Sequence, residues 1–214
     1  MFDIGIHWQR WLLKIVIFIA CLMPFLFLLD GALKDDLGAN PIETVTHATG
    51  DWTLRLLLIT LVMTPLRRLT GLAWPIKVRR MLGLFVFFYA TLHFFTWGWL
   101  DQQLIVEDIL ADIVKRPYVT VGFLAWLLLL PLALTSNRWS MRKLGKRWSI
   151  LHKVVYLIGV LGVLHFLWLV KADLLEPLIY GLLLVLLLAF RWKHAKQSEK
   201  KRLTERQGKL LSGL

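Results

Sequence analysis

The chain has 214 residues, of which 57% are hydrophobic and 19% charged, against about 25% charged in a soluble domain. That much apolar surface, with a mean hydropathy of +0.62, cannot be hidden inside a soluble globule of 24.9 kDa, so the solvent is lipid and disorder is excluded. The net charge of +12 is first a matter of membrane topology; no nucleic-acid motif accompanies it.

A bilayer-crossing helix needs about 20 mostly apolar residues. The first span covers 15–29, extended across Lys14 towards Trp11. It holds Cys21, the single cysteine, which makes neither an intrachain disulfide nor a cysteine metal site. Asp30-Gly31-Ala32-Leu33-Lys34 follows it, which is no small-residue cleavage pattern, so this helix is expected to be retained. The second covers 56–66 and lengthens upstream through Arg55 to Trp52. The third, 81–100, has 20 residues without a charge, the fourth, 117–137, has 21, and the fifth, 154–170, has 17. The sixth covers 174–192, flanked by Glu176 and Arg191. Backbone groups in lipid must be satisfied within each segment, so these are helices. The expected fold is an all-α integral membrane protein: a six-helix transmembrane domain over 1–192 and a basic tail over 193–214.

The connecting segments alternate in charge. Residues 67–80 and 138–147 each hold five basic residues and no acid, and the stretch after Phe190 holds eight basic and two acidic residues. Residues 30–51 hold five acids and one base, 101–116 four and two, and 171–176 two and one. The positive-inside rule therefore predicts that both termini are cytoplasmic, with the tail placed to meet anionic lipid.

Six histidines carry the chemistry. His7 and His194 fall at the cytoplasmic ends of the outer spans and read as interfacial side chains. His47, before the second span, reads as a loop or capping residue. His93 and His165 lie deep in uncharged spans, where an ionisable group costs about 2–3 kcal/mol or more to insert. His93 stands 13 residues past Arg80, and His165 stands 18 past Arg147. At 1.5 Å per residue both rings fall roughly 20–25 Å from the cytoplasmic basic clusters, at one level in the periplasmic half. Two imidazoles facing across a helix gap can supply both axial positions of a haem iron. Copper or zinc would want a third or fourth ligand nearby. A neutral histidine bonded to a neighbouring helix is the plain alternative. Ala90, Tyr89 and Trp97 near His93, and Gly159 and Gly162 near His165, suit a flat macrocycle and equally suit ordinary helix packing. His152 lies 13 residues before His165, about 20 Å along the axis and ~140° around it. A second haem there finds no histidine opposite on the third span, where Arg79 and Arg80 stand instead; an arginine suits a propionate better than an iron.

Two stretches carry a family resemblance. Arg79-Arg80-Met81-Leu82-Gly83-Leu84 through Tyr89-Ala90-Thr91-Leu92-His93 resembles the third helix of the ferric reductase-like transmembrane family, and Gly145-Lys146-Arg147-Trp148 through His152, Tyr156 and His165 resembles its fifth. Leu37-Gly38-Ala39-Asn40-Pro41, His47-Ala48-Thr49-Gly50, Thr64-Pro65-Leu66, Arg116-Pro117-Tyr118 and Thr135-Ser136 extend the likeness over almost the whole chain. Within the family it is most similar to the haem-binding membrane subunits of periplasmic methionine sulfoxide reductase systems.

The resemblance implies a b-type haem protein of a bacterial inner membrane, also associated with FMN, for which no binding residue is assigned. Electrons would come from the quinone pool or a cytoplasmic flavin reductase. They would pass to a periplasmic molybdopterin enzyme that reduces methionine sulfoxide and so repairs oxidised proteins. By the same resemblance, His93 and His165 ligate the periplasmic-side haem and His152 serves a cytoplasmic-side one. Larger members append a flavin and nicotinamide domain, whereas no glycine-rich phosphate loop occurs in this sequence. The alternative function is a stand-alone membrane ferric reductase acting on a metal chelate. A transporter would want intramembrane carboxylates, and none of the spans has one at depth.

Overall fold

A computed structural model describes residues 3–170 and 173–211. Lys171 and the side chain of His7, both used in the sequence reading, and part of the basic tail lie outside the described residues. The described elements are helical: α1 (Asp3–Leu33), α2 (Pro41–Thr70), α3 (Trp74–Phe95), α4 (Val106–Lys115), α5 (Pro117–Leu134), α6 (Arg138–Leu144), α7 (Lys146–Leu151), α8 (Val155–Leu169) and α9 (Leu175–Leu211). A π-helical turn (Thr96–Asp101) continues α3, and a single 3-10 turn (His152–Val154) joins α7 to α8.

Five stretches have the length and apolarity to cross a bilayer: Trp11–Leu33, Trp74–Asp101, Pro117–Leu134, Lys146–Leu169 and Leu175–Gln197. Their outer faces carry exposed Phe27, Leu124, Leu157, Leu182 and Val185, a display that a water-soluble surface does not tolerate. The predicted second span lies inside α2, which differs from the other five. It is 30 residues long and begins well before the predicted Trp52. It carries Asp51, Arg55, Arg67 and Arg68, yet it holds the densest part of the core, with Leu54, Leu56, Leu57, Leu58, Leu61 and Met63 all buried. The reason is position. α1, α3, α8 and α9 all pack on α2, so its neighbours cover most of its middle, leaving Ile59 and Val62 exposed.

The ends of α2 follow from local chemistry. The Asn40 side chain accepts from the Glu43 N–H at 3.3 Å, and Pro41 opens the helix, where its missing donor costs nothing. Gly71, at φ 72, closes it and donates its N–H to the Arg67 carbonyl. Most of the predicted acidic loop 30–51 is therefore helix, and His47 is a helical residue rather than a loop residue. The 101–116 segment likewise contains α4. At the other end, α9 runs from Leu175 to Leu211 with no break at residue 192.

α1 contains Pro24 and nevertheless continues unbroken. A mid-helix proline disturbs the hydrogen-bond ladder around it. Tyr89, fully buried on α3, repairs the gap: its hydroxyl donates to the Cys21 carbonyl at 2.8 Å and accepts from the Phe25 N–H at 3.1 Å. The phenol thus sits inside the ladder of another helix. Phe25 and Phe88 pack edge to face beside it, with ring centroids 5.4 Å apart. Replacing Tyr89 by Phe leaves a buried N–H and a buried carbonyl without this partner, at a cost of about 1–3 kcal/mol. The expected result is a lower thermal midpoint in detergent and faster proteolysis of α1; an unchanged midpoint would remove the hydroxyl from the account of how α1 docks.

Candidate functional site

α3 and α8 bring His93 and His165 together. Their ring centroids stand 6.0 Å apart and their planes cross at 82°. Each ring is held from behind by a different helix. His93 Nδ1 lies 2.9 Å from the carbonyl oxygen of Thr46 on α2, and His165 Nδ1 lies 2.7 Å from that of Tyr118 on α5. A carbonyl only accepts, so Nδ1 carries the proton in both rings and donates it. Nε2 is left in each as the unprotonated nitrogen, with its lone pair available.

The two anchors share a construction. Four residues after Thr46 comes Gly50, and four after Tyr118 comes Gly122. A Cβ on Gly50 would stand 3.1 Å from His93 Cε1 and 3.2 Å from its Nδ1. On Gly122 it would stand 2.7 Å from His165 Nδ1 and 2.9 Å from its Cε1. Each imidazole therefore occupies the space that any other residue would fill, one turn beyond the carbonyl it binds. The glycines singled out from sequence do something else. Gly159 faces Leu184 and Leu61, and Gly162 faces Leu54, as in ordinary helix packing.

His93 and His165 open on one cavity of about 300 Å³. Its walls are largely apolar and include Ala90, Phe94, Trp126, Ile158 and Phe166. Phe94 and Trp126 stack at 4.2 Å with an 11° tilt, and Trp126 Nε1 donates to the Thr91 hydroxyl at 3.2 Å. Trp97 also lines the cavity, from the π-helical turn that follows α3. Tyr89 does not, because its ring is turned to α1. The polar rim is His47, Asp51, Asp101 and Arg116. Beside it Arg55 ties α2 to α9, donating Nε–H to the Tyr180 hydroxyl at 2.9 Å and lying 3.4 Å from Asp51 and 3.5 Å from Glu176.

His152 is not part of this cavity. Its ring lies on Trp148 at a centroid distance of 3.9 Å, with Nδ1 3.1 Å from the Trp148 carbonyl and Nε2 3.4 Å from the Ser136 hydroxyl. The 3-10 turn at His152–Val154 separates it from the regular α8 that carries His165. Among the described residues, no three His, Cys, Asp or Glu side chains gather as a metal site.

The family described as ferric reductase like transmembrane component matches residues 49–163, which include Gly50, His93, Gly122 and His152. Three curated relatives all bear the name protein-methionine-sulfoxide reductase heme-binding subunit MsrQ. The one from Herminiimonas arsenicoxydans is 50% identical over 196 residues, covering 89% of this chain and 90% of its own. That from Azospira oryzae is 51% identical over 181 residues, covering 84% and 78%. That from Xanthomonas campestris pv. campestris is 56% identical over 161 residues, covering 75% and 74%. No solved structure matches. With five helices long and apolar enough to cross a bilayer, this multi-pass membrane protein belongs to the ferric reductase like transmembrane component family, alongside these MsrQ proteins.

Proposed function

We propose that the chain is the haem-binding membrane subunit of a methionine sulfoxide reductase system and conducts electrons to a periplasmic molybdopterin partner. One observation carries the reading: two imidazoles with Nδ1–H committed to backbone carbonyls, facing each other at 6.0 Å. Two metal–imidazole bonds of about 2 Å each, with roughly 1 Å more from each bonding nitrogen to its ring centre, separate the centres by about 6 Å. The spacing and the donor set fit a group that takes two axial nitrogens. A b-type haem, when bound, supplies a reversible one-electron couple there.

The chain's own residues do the rest. His93 and His165 present neutral nitrogens, and the carbonyls of Thr46 and Tyr118 fix their tautomers and raise their basicity. Phe94, Trp126 and Phe166 keep water from the ligand pair. The acidic segments at the cavity's rim form the periplasmic face in this reading, both termini are cytoplasmic, and α2 serves as the sixth crossing helix. Quinol or a cytoplasmic flavin reductase is the donor. A second haem, where present, would be held by His152, whose Nε2 makes only a long contact of 3.4 Å with the Ser136 hydroxyl, with the charge of Arg79 nearby. FMN enters by family likeness, with no residue assigned. The relatives' names favour this acceptor over a metal chelate.

A reduced-minus-oxidised spectrum of the purified protein tests the core of the reading. A low-spin b-haem signal is expected, lost on its periplasmic-side component in His93→Ala and in His165→Ala and kept in His47→Ala. Survival in both single variants would overturn the ligand pair. Gly122→Ala pushes a Cβ into His165, and loss of the second anchor is expected to weaken haem retention about 10–100-fold. Gly159→Ala, whose closest neighbour is the movable end of Leu184 at 3.2 Å, is expected to retain haem. Equal retention in the two variants would show that the close approach of Gly122 does not govern the site. A cytoplasm-dependent reporter fused to the C-terminus is expected to be active, and activity of a periplasm-dependent one instead would invert the topology.

A further inference from the structure

The ion pairs among the described residues are Lys34–Asp30, Arg55–Asp51, Arg55–Glu176 and Arg116–Asp112, all in or beside the acidic segments. The basic end of the bundle is built differently. Arg191, at the close of the apolar part of α9, lays its guanidinium over the Tyr156 ring of α8, 4.6 Å from the centroid. Its Nη1 is buried and has no hydrogen-bond partner, alone in this among the buried side-chain nitrogens and oxygens of the described residues. The charges of Arg79 on α3 and Arg68 at the end of α2 bear on the same guanidinium, and among the described residues no carboxylate is seen to do so. Arg79 is itself half-buried, with Nη1 3.3 Å from the Thr64 hydroxyl.

Arg191 experiences like charge from two other helices, and an anion beside its guanidinium relieves that repulsion. A buried N–H without an acceptor asks for an oxygen, and the planar guanidinium fork suits phosphate oxygens in particular. A carboxylate presents its acceptors in one plane, whereas a phosphate group presents its oxygens in several directions, which suits donors from different helices. The level also suits a lipid phosphate, because Arg191 is the first charge after the uncharged run of α9 that follows Glu176. We propose that Arg191, Arg79 and Arg68, over the face of Tyr156, form a binding site for a phosphate group at the basic end of the bundle. The phosphate comes from an anionic phospholipid headgroup or from a soluble phosphate.

The test uses the full chain in neutral detergent, with Arg191→Gln and, as a charge control, Lys143→Gln, whose ammonium lies over Trp139. Phosphatidylglycerol and inorganic phosphate are titrated separately. Lipid adducts are counted by native mass spectrometry and thermal midpoints are followed. If lipid fills the site, wild type and Lys143→Gln keep phosphatidylglycerol and Arg191→Gln binds it about tenfold more weakly. If soluble phosphate fills it, inorganic phosphate raises the midpoint of the first two and not of the third. Equal response of all three proteins to both probes overturns the site, as does loss of haem from Arg191→Gln with phosphate binding unchanged. Should that variant not fold, phosphorus NMR of the wild type decides: a shifted, broadened bound line supports the site and its absence overturns it.

Discussion

The arrangement turns on a hydrogen bond made twice, from an imidazole Nδ1–H to a carbonyl of a neighbouring helix. A helical carbonyl already accepts from the N–H four residues on, but its second lone pair is open to an outside donor. An imidazole reaches that lone pair only by lying against the helix surface where the Cβ of the following turn would stand. Gly50 and Gly122 clear that space, and the 2.7–3.2 Å approaches of a notional Cβ measure how completely the rings have taken it. Removing the side chain from α2 and α5 thus fixes the tautomer and orientation of a side chain on α3 and α8.

The helical framework makes this tenable. A ligand pair must be held by rigid elements, since loose support spoils the geometry first. α2 has the central position and the buried core residues, and it supplies the Thr46 carbonyl from the portion that extends beyond its apolar stretch. α3 is locked to α1 through the Tyr89 hydroxyl, inserted at the proline-weakened turn of α1. The same helix therefore presents the proposed ligand His93 near its end and a structural clamp one turn earlier. The clamp explains why Tyr89, four residues before His93, does not line the cavity although its spacing puts it near the ring.

Much of this was legible in the sequence and some was not. The five long apolar runs and the shared depth of His93 and His165 follow from charge-free lengths and helical rise, and the structure brings those two rings within 6.0 Å of each other, edge to face. The extent of α2 was hidden because hydropathy reads each helix as though lipid surrounded it. Asp51 and Arg55 look like the edge of a span, yet both lie within a helix wrapped by others. His47 went with them, from expected loop residue to the cavity rim. Gly50 and Gly122 were missed for a different reason: a glycine's use depends on what approaches it from another helix. Gly50 in His47-Ala48-Thr49-Gly50 and Gly122 four residues after Tyr118 are visible only once the helices are paired. The readily noticed Gly159 and Gly162, near His165 on its own helix, serve packing instead.

The two ends of the bundle divide their charges in a way that net charge conceals. At the acidic end the carboxylates are largely engaged: Asp51 and Glu176 with Arg55, Asp112 with Arg116, Trp97 and Gln102. Local pairing there holds α2 to α9 and α4 to the turn after α3, so these acids shape the cavity's rim before they offer charge to a partner. At the basic end Arg191 and Arg79 are partly buried and meet aromatic and hydroxyl groups rather than acids. A positive charge withheld from water and left without a counter-charge is sustained only if something outside the chain completes it. The proposed phosphate site would supply that counter-charge, from a lipid headgroup or from a soluble phosphate.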